Sequence, residues 1–280
     1  MKKLFVVLFA GLLLMFSCTG NKTPRVEEEV AEDSAADTTE VSVTDSLEQL
    51  IMDTPMPRAA DAMFDDFIFN FAANKRLQLE RIVFPLSMTE KDTTVQVEKS
   101  AWKMEHLFMN QGYYTLLFNN DKQMSLMKDT AVNEAIVEKI QLRKKQVKNY
   151  VFHRIRGAWM MTEVKVTPLE ENVNASFFAF YQRFVTDSAF QVQSLNSMVE
   201  FVGPDPDDDF HQLEGVITPD TWEVFAPQLP SRTLYNIIYG KSVPEGNEKI
   251  FLMRGVANGL ETELRFKKVG NKWLLMKLTT

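Results

Sequence analysis

The sequence predicts an α+β fold in which two related units follow one another, each with helices packed on one side of a curved antiparallel sheet. Two observations carry this expectation. Phe64, Phe67, Ile68 and Phe71 form an i, i+3, i+4, i+7 apolar stripe, which recurs 113 residues later at Phe177, Phe180, Tyr181 and Phe184. A basic strand, a Gly turn and a Trp-led apolar strand, "FHRIRGAWMM" from Phe152, return 114 residues later as "FKKVGNKWLL" from Phe266.

The chain opens with "MKKLFVVLFAGLLLMFSC": two lysines, thirteen apolar residues from Leu4 to Phe16, then Ser17 and Cys18. This is the layout of a secretory signal, with an apolar run short for a bilayer span. A small residue before the single cysteine of the chain resembles the lipobox of bacterial lipoproteins, which implies diacylation of Cys18 as a membrane anchor. With Cys18 lipidated, no thiol remains for a disulfide. The implied address is the bacterial cell envelope, at the outer membrane, on a side the sequence leaves open.

Residues 19–57 are rich in Ser, Thr, Ala and carboxylates and hold no Phe, Tyr or Trp. Such a stretch buries too little apolar surface to offset its ordering entropy, so a disordered acidic linker is expected. Lys22 and Arg25 stand there against ten carboxylates, which leaves residues 58–280 near −1. The low pI of about 5.2 therefore reports the linker and selects no partner class.

The first unit, 58–170, begins with the stripe of Phe64, followed by Asn74 at a position suited to cap a second short helix; Asp187 stands 113 residues later in the second unit, 171–280. Between the ends the register slips. Trp102 aligns with Trp222, and "YYTLLF" (113–118) with "TLYNIIY" (233–239), at offsets near 120, which places an insertion near 203–210 of the second copy. Each copy closes on a hairpin turning at Gly157 or at Gly270-Asn271, with one face expected on the helix and the other in water.

"FDDFIFNFA", "RIVFPL", "YYTLLF", "FHRIRGAWMM", "FYQRFVTDSAFQ" and "FVGPDPDDDF", in that order, resemble a Bacteroides-type lipoprotein family known as domain of unknown function 4348. The helix, short helix and meander also resemble the nuclear-transport-factor-2-like (cystatin-like) cone. The resemblance covers residues 58–280 and implies two such cones in tandem; it brings no activity.

Candidate site residues are few. Tyr113, Tyr114, Tyr235 and Tyr239 could line a cone mouth and stack a ligand, or simply fill core strands. Asp205, Asp207 and Asp209 alternate like the first ligands of a calcium loop, with Glu214 beyond. Phe210 stands where that loop needs Gly and Val216 where it needs Glu, so no metal is assigned; a Pro-studded acidic loop capping turns and the next helix is the expectation. No cofactor motif, nucleophile elbow, Walker loop or zinc-protease motif occurs. The seven Lys and Arg between Lys139 and Arg156 fit the solvated half of an alternating sheet, and no nucleic-acid partner is expected.

The function expected is a lipid-anchored, non-enzymatic module for a small ligand or an envelope protein. The alternative is an isomerase or hydrolase with a pocket in one cone, for which Asp65, Asp66, Tyr113 and Tyr114 are the residues at hand. Oligomeric state is left open.

Overall fold

The computed structural model describes residues 61–205 and 208–280. Cys18, the signal segment, the linker 19–57 and Asp207 lie outside the described residues. Among the described residues no helix is long and apolar enough to cross a membrane.

The first copy runs α1 (Phe64–Ala73), α2 (Lys75–Glu80), β1 (Ile82–Glu90), β2 (Thr93–Val97), β3 (Tyr113–Phe118), α3 (Asp121–Met124), β4 (Glu134–Gln141), β5 (Gln146–Ile155) and β6 (Ala158–Pro168). The second runs α4 (Ala175–Phe184), α5 (Ser188–Gln193), β7 (Leu195–Asp205), β8 (Asp208–Ile217), α6 (Trp222–Phe225), β9 (Thr233–Tyr239), β10 (Glu248–Gly255), β11 (Glu261–Val269) and β12 (Lys272–Thr279).

The repeated residues do the same work twice. The stripes of α1 and α4 are buried, each ring contributing about 2 kcal/mol of apolar burial. Asn74 Oδ1 accepts from Leu77 N–H at 3.0 Å and Asp187 Oδ1 from Phe190 N–H at 2.9 Å, so both predicted caps form. Phe64 meets Trp159 edge-on at 4.9 Å between centroids, and Phe177 meets Trp273 likewise at 5.4 Å. Arg154 lies over the Trp159 ring at 4.8 Å and Lys268 over Trp273 at 5.6 Å. Gly157 and Gly270 take positive φ, 84° and 60°, at the two turns.

One feature departs from the expected antiparallel sheets, and a second answers whether the two copies share a core, which the sequence leaves open. The sheets are mixed, because β1 pairs parallel with β6 and β7 parallel with β12. Residue alternation encodes which face a strand buries but not its direction. Moreover, the strand orders are β2-β1-β6-β5-β4-β9 and β8-β7-β12-β11-β10-β3. Each copy gives one strand to the other's sheet.

The exchange interlocks two cores. Core one gathers Phe64, Phe67, Phe71, Phe152 and Trp159 with Tyr235, Ile237 and Tyr239 from β9 and Ile250 and Leu252 from β10. Core two gathers Phe177, Tyr181, Phe184, Phe266 and Trp273 with Leu117 from β3 and Ile140 from β4. β3, β4, β9 and β10 thus bury side chains on both faces, in keeping with the core-strand alternative for "YYTLLF" and "TLYNIIY". Between the edge strands β3 and β9, side chains replace the missing ladder. Thr115 Oγ1 donates to Tyr235 C=O at 2.5 Å and accepts from Tyr235 N–H at 3.2 Å, and Leu117 N–H donates to Asn236 Oδ1 at 2.8 Å.

The acidic stretch 203–214 is not a helix-capping loop. It is the distal part of the β7–β8 hairpin, whose strands have 11 and 10 residues where β1 and β2 have 9 and 5. The insertion read from the offsets is this extension.

Candidate functional site

Where the core face of sheet two runs out towards the ends of its strands, the backbone leaves an open cleft of about 750 Å³. Tyr113 (β3), Met253 (β10), Thr262 (β11) and Thr280 line its floor, and Gln228, Leu229 and Pro230 form a wall. Their alternation places them there: Leu117, Phe251 and Leu264, an even number of residues away on the same strands, belong to core two. Gln111, Asn258, Leu260 and Glu261 complete the rim. Glu261 is the one acidic side chain in the lining, and it accepts from Arg254 Nε at 2.6 Å. Gln111 Nε2 is buried without a hydrogen-bond partner. Amides, hydroxyls and apolar side chains in a neutral concave site suit a neutral ligand with both polar and apolar parts.

A buried polar cluster, none of whose members lines the cleft, lies where β4, β9 and β10 meet the start of α4. Glu138, 2% exposed, accepts from Asn236 Nδ2 at 2.7 Å and Asn172 Nδ2 at 2.6 Å. Burial pushes its carboxyl above the usual range, and the two amides and the more distant Lys249 offset this in part. Lys249, 1% exposed, donates to the side-chain oxygens of Asn119 and Asn174. Burial lowers its ammonium to about 8, against the pull of Glu245 and Glu138. The second copy has Leu252 opposite Leu116 at the place of Glu138 and Asn236. The cluster therefore belongs to one half only, and Glu138, standing beside Lys139 in "EAIVEKIQ", reads as a solvent-facing strand position, which is why the sequence hid it.

In core one the Tyr239 hydroxyl donates to Asp65 Oδ1. Burial raises the Asp65 carboxyl, the hydrogen bond and Arg254 pull it back, and Asp66 adds to the rise. Burial likewise raises the Tyr114 and Tyr239 hydroxyls. Neither Asp65 nor Tyr239 lines the cleft.

The four candidate tyrosines are thus divided. Tyr114, Tyr235 and Tyr239 are buried in core one, with Phe108 packed against both Tyr114 and Tyr235, and Tyr113 alone reaches the cleft. Asp205 stands opposite Asp208 near the hairpin tip, and Glu214 pairs with Val202 three rungs down, so Asp205 and Glu214 are not brought together. Asp209 lies on β8, next to Asp208, whose carboxylate meets His211 Nδ1 at 2.7 Å. Among the described residues no group of three or more His, Cys, Asp or Glu is placed to hold a metal. The cleft itself, with Gln111, Gln228, Asn258 and Thr262, was not found from sequence, since none of these residues carries a motif.

A family model described as "Domain of unknown function (DUF4348)" matches residues 43–280. Among solved structures, an NTF2-like protein from Bacteroides fragilis is 40% identical, with a TM-score of 0.72 over 80% of this chain and 98% of that one. No curated protein matches the chain.

Proposed function

As the chain belongs to the DUF4348 family and has an NTF2-like fold, neither of which carries a reaction with it, we propose a non-enzymatic binding module, held at the cell envelope by a lipid on Cys18, that takes a neutral, partly apolar small molecule at the mouth of core two. The observation that supports this reading is the cleft of about 750 Å³ with its uncharged amides and hydroxyls beside Leu229 and Met253. Its one acidic side chain, Glu261, is held by Arg254 rather than turned to a second titratable side chain across the cleft. The alternative, an isomerase or hydrolase, would draw on Asp65, Asp66, Tyr113 and Tyr114; of these Tyr113 alone lines the cleft, while half-buried Asp65 accepts from the Tyr239 hydroxyl outside it.

Native mass spectrometry of the full chain, extracted from its own membranes in detergent, tests the ligand. A bound small molecule carried by the wild type and lost from Thr262→Trp, which fills the cleft, is the expected result; the same mass on both proteins, or none on either, overturns the assignment. Labelling with radioactive palmitate tests the anchor separately, with label on the wild type and none on Cys18→Ser.

A further inference from the structure

The net charge near −1 of the folded residues conceals a separation. From Phe184 to Ser231 there is no Lys or Arg and there are nine Asp and Glu, so the rest of residues 58–280 carries about +8. The β7–β8 hairpin lies at the centre of this acidic stretch, and β8 is an end strand of its sheet, paired with β7 alone. From Gln212 to Val216 it bonds through its backbone to no segment other than β7 among the described residues. Every residue from His211 to Val216 is exposed, with Leu213 at 46% and Val216 at 57%, and Met198 on the neighbouring strand at 62%. A side chain added at Gly215 would meet nothing within 4 Å.

Proteins usually blunt such an edge with lysines, a proline or a short strand. The other outer edge here, β2, is five residues long, and β3 and β9 are stitched to each other by Thr115 and Asn236. Between Gln212 and Val216 β8 carries no Lys, Arg or Pro, and its one charge is Glu214. We propose that β8 is a docking edge for an extended, cationic polypeptide segment of another protein, which adds to sheet two as its seventh strand, with Lys or Arg alternating with apolar residues. The backbone supplies the ladder, Leu213 on one face and Val216 with Met198 on the other supply apolar contact, and the exposed Glu200 and Glu214 select positive charge. A second copy of this chain is the poorer occupant, since it would bring an equally acidic hairpin to the same edge.

The test uses the full chain in detergent and two synthetic peptides of equal charge, (Lys-Val)₅ and (Lys-Pro)₅, the second unable to donate along a strand. Hydrogen exchange of β8 is followed with and without peptide. Expected are saturable, salt-sensitive binding of (Lys-Val)₅, at least tenfold slower exchange across Gln212–Val216, no such protection by (Lys-Pro)₅, and at least tenfold weaker binding by Glu200→Lys/Glu214→Lys. Equal effects of both peptides would reduce the site to diffuse charge and overturn strand addition. Binding without protection of β8, no binding, or protection that rises with protein concentration in the absence of peptide would overturn it too, the last by making the occupant a second copy. Binding of the small molecule in the cleft is read separately, because Glu200 and Glu214 do not line it.

Discussion

The indole N–H of Trp102 donates to Gln78 Oε1 at 3.1 Å, and 113 residues on from Gln78, Gln191 receives the indole N–H of Trp222 at 2.9 Å. The same pair thus closes both copies although the two tryptophans are 120 residues apart, because the insertion in the β7–β8 hairpin lies between glutamine and tryptophan. Gln78 does more than its twin. It is fully buried, donates to Phe71 C=O and Glu105 C=O at 2.9 and 2.8 Å, and accepts from Glu105 N–H at 3.2 Å. Gln78→Leu orphans all of these groups and is expected to cost about 3–5 kcal/mol, against about 1 kcal/mol for Gln191→Leu. Urea unfolding of the two variants measures the difference; equal losses would mean that the extra bonds of Gln78 contribute nothing.

The seam between β3 and β9 yields a second expectation. Thr115→Val keeps the shape of the side chain but leaves the N–H and C=O of Tyr235 without their shared partner in a buried setting. The loss should be about 3 kcal/mol. Because the seam joins strands exchanged between the copies, unfolding should remain a single transition followed alike by tryptophan fluorescence and far-ultraviolet circular dichroism. Two separated transitions in the wild type would show that the copies unfold independently despite the exchange.

The fold was legible where a residue's neighbours in sequence are also its neighbours in space. The stripes of α1 and α4, the caps Asn74 and Asp187, and the turns at Gly157 and Gly270 are local and follow from spacing alone. The strand exchange is not local. "YYTLLF" and "TLYNIIY" announce buried strands, and nothing in either states which sheet receives it, since pairing depends on the edge each strand meets. The same double burial removed Tyr114, Tyr235 and Tyr239 from the site and admitted Glu138 and Lys249 to the interior. The acidic surface was missed for a different reason: a net charge is a sum, and a hairpin of one sign cancels against a sheet of the other.

Tyr239→Phe should expose the cost of the Asp65 carboxyl. Its raised pKa means that this carboxyl opposes folding increasingly as pH rises from the unfolded value of 3.8 through the folded one, and the Tyr239 hydroxyl is the largest influence limiting that rise. Without the hydroxyl the folded value climbs further. The variant should be less stable than the wild type by about 1–3 kcal/mol at pH 7, with the gap narrowing towards pH 4 as Asp65 protonates in both states. Denaturant midpoints at the two pH values measure it, and a gap independent of pH would assign the loss to packing alone.

Lys249 titrates in the opposite sense. Its folded value of about 8 lies below the unfolded 10.5, so between these limits the unfolded chain binds more protons and stability rises with pH. Below about pH 8 both states hold the proton and the contribution is flat. Across the window the gain approaches about 3 kcal/mol, from about 1.4 kcal/mol per pH unit. Tyrosines with raised pKa values act against it near the upper limit, so the effect is read as a difference between wild type and Lys249→Met. Lys249→Met removes the ammonium whose hydrogens reach Asn119 and Asn174 and leaves Glu138 without its nearest buried cation. The denaturant midpoint of the wild type should therefore rise relative to the variant between pH 8 and pH 10, while the two run parallel between pH 6 and pH 7.5. Parallel curves throughout would place the ammonium in water-like surroundings, at odds with its 1% exposure.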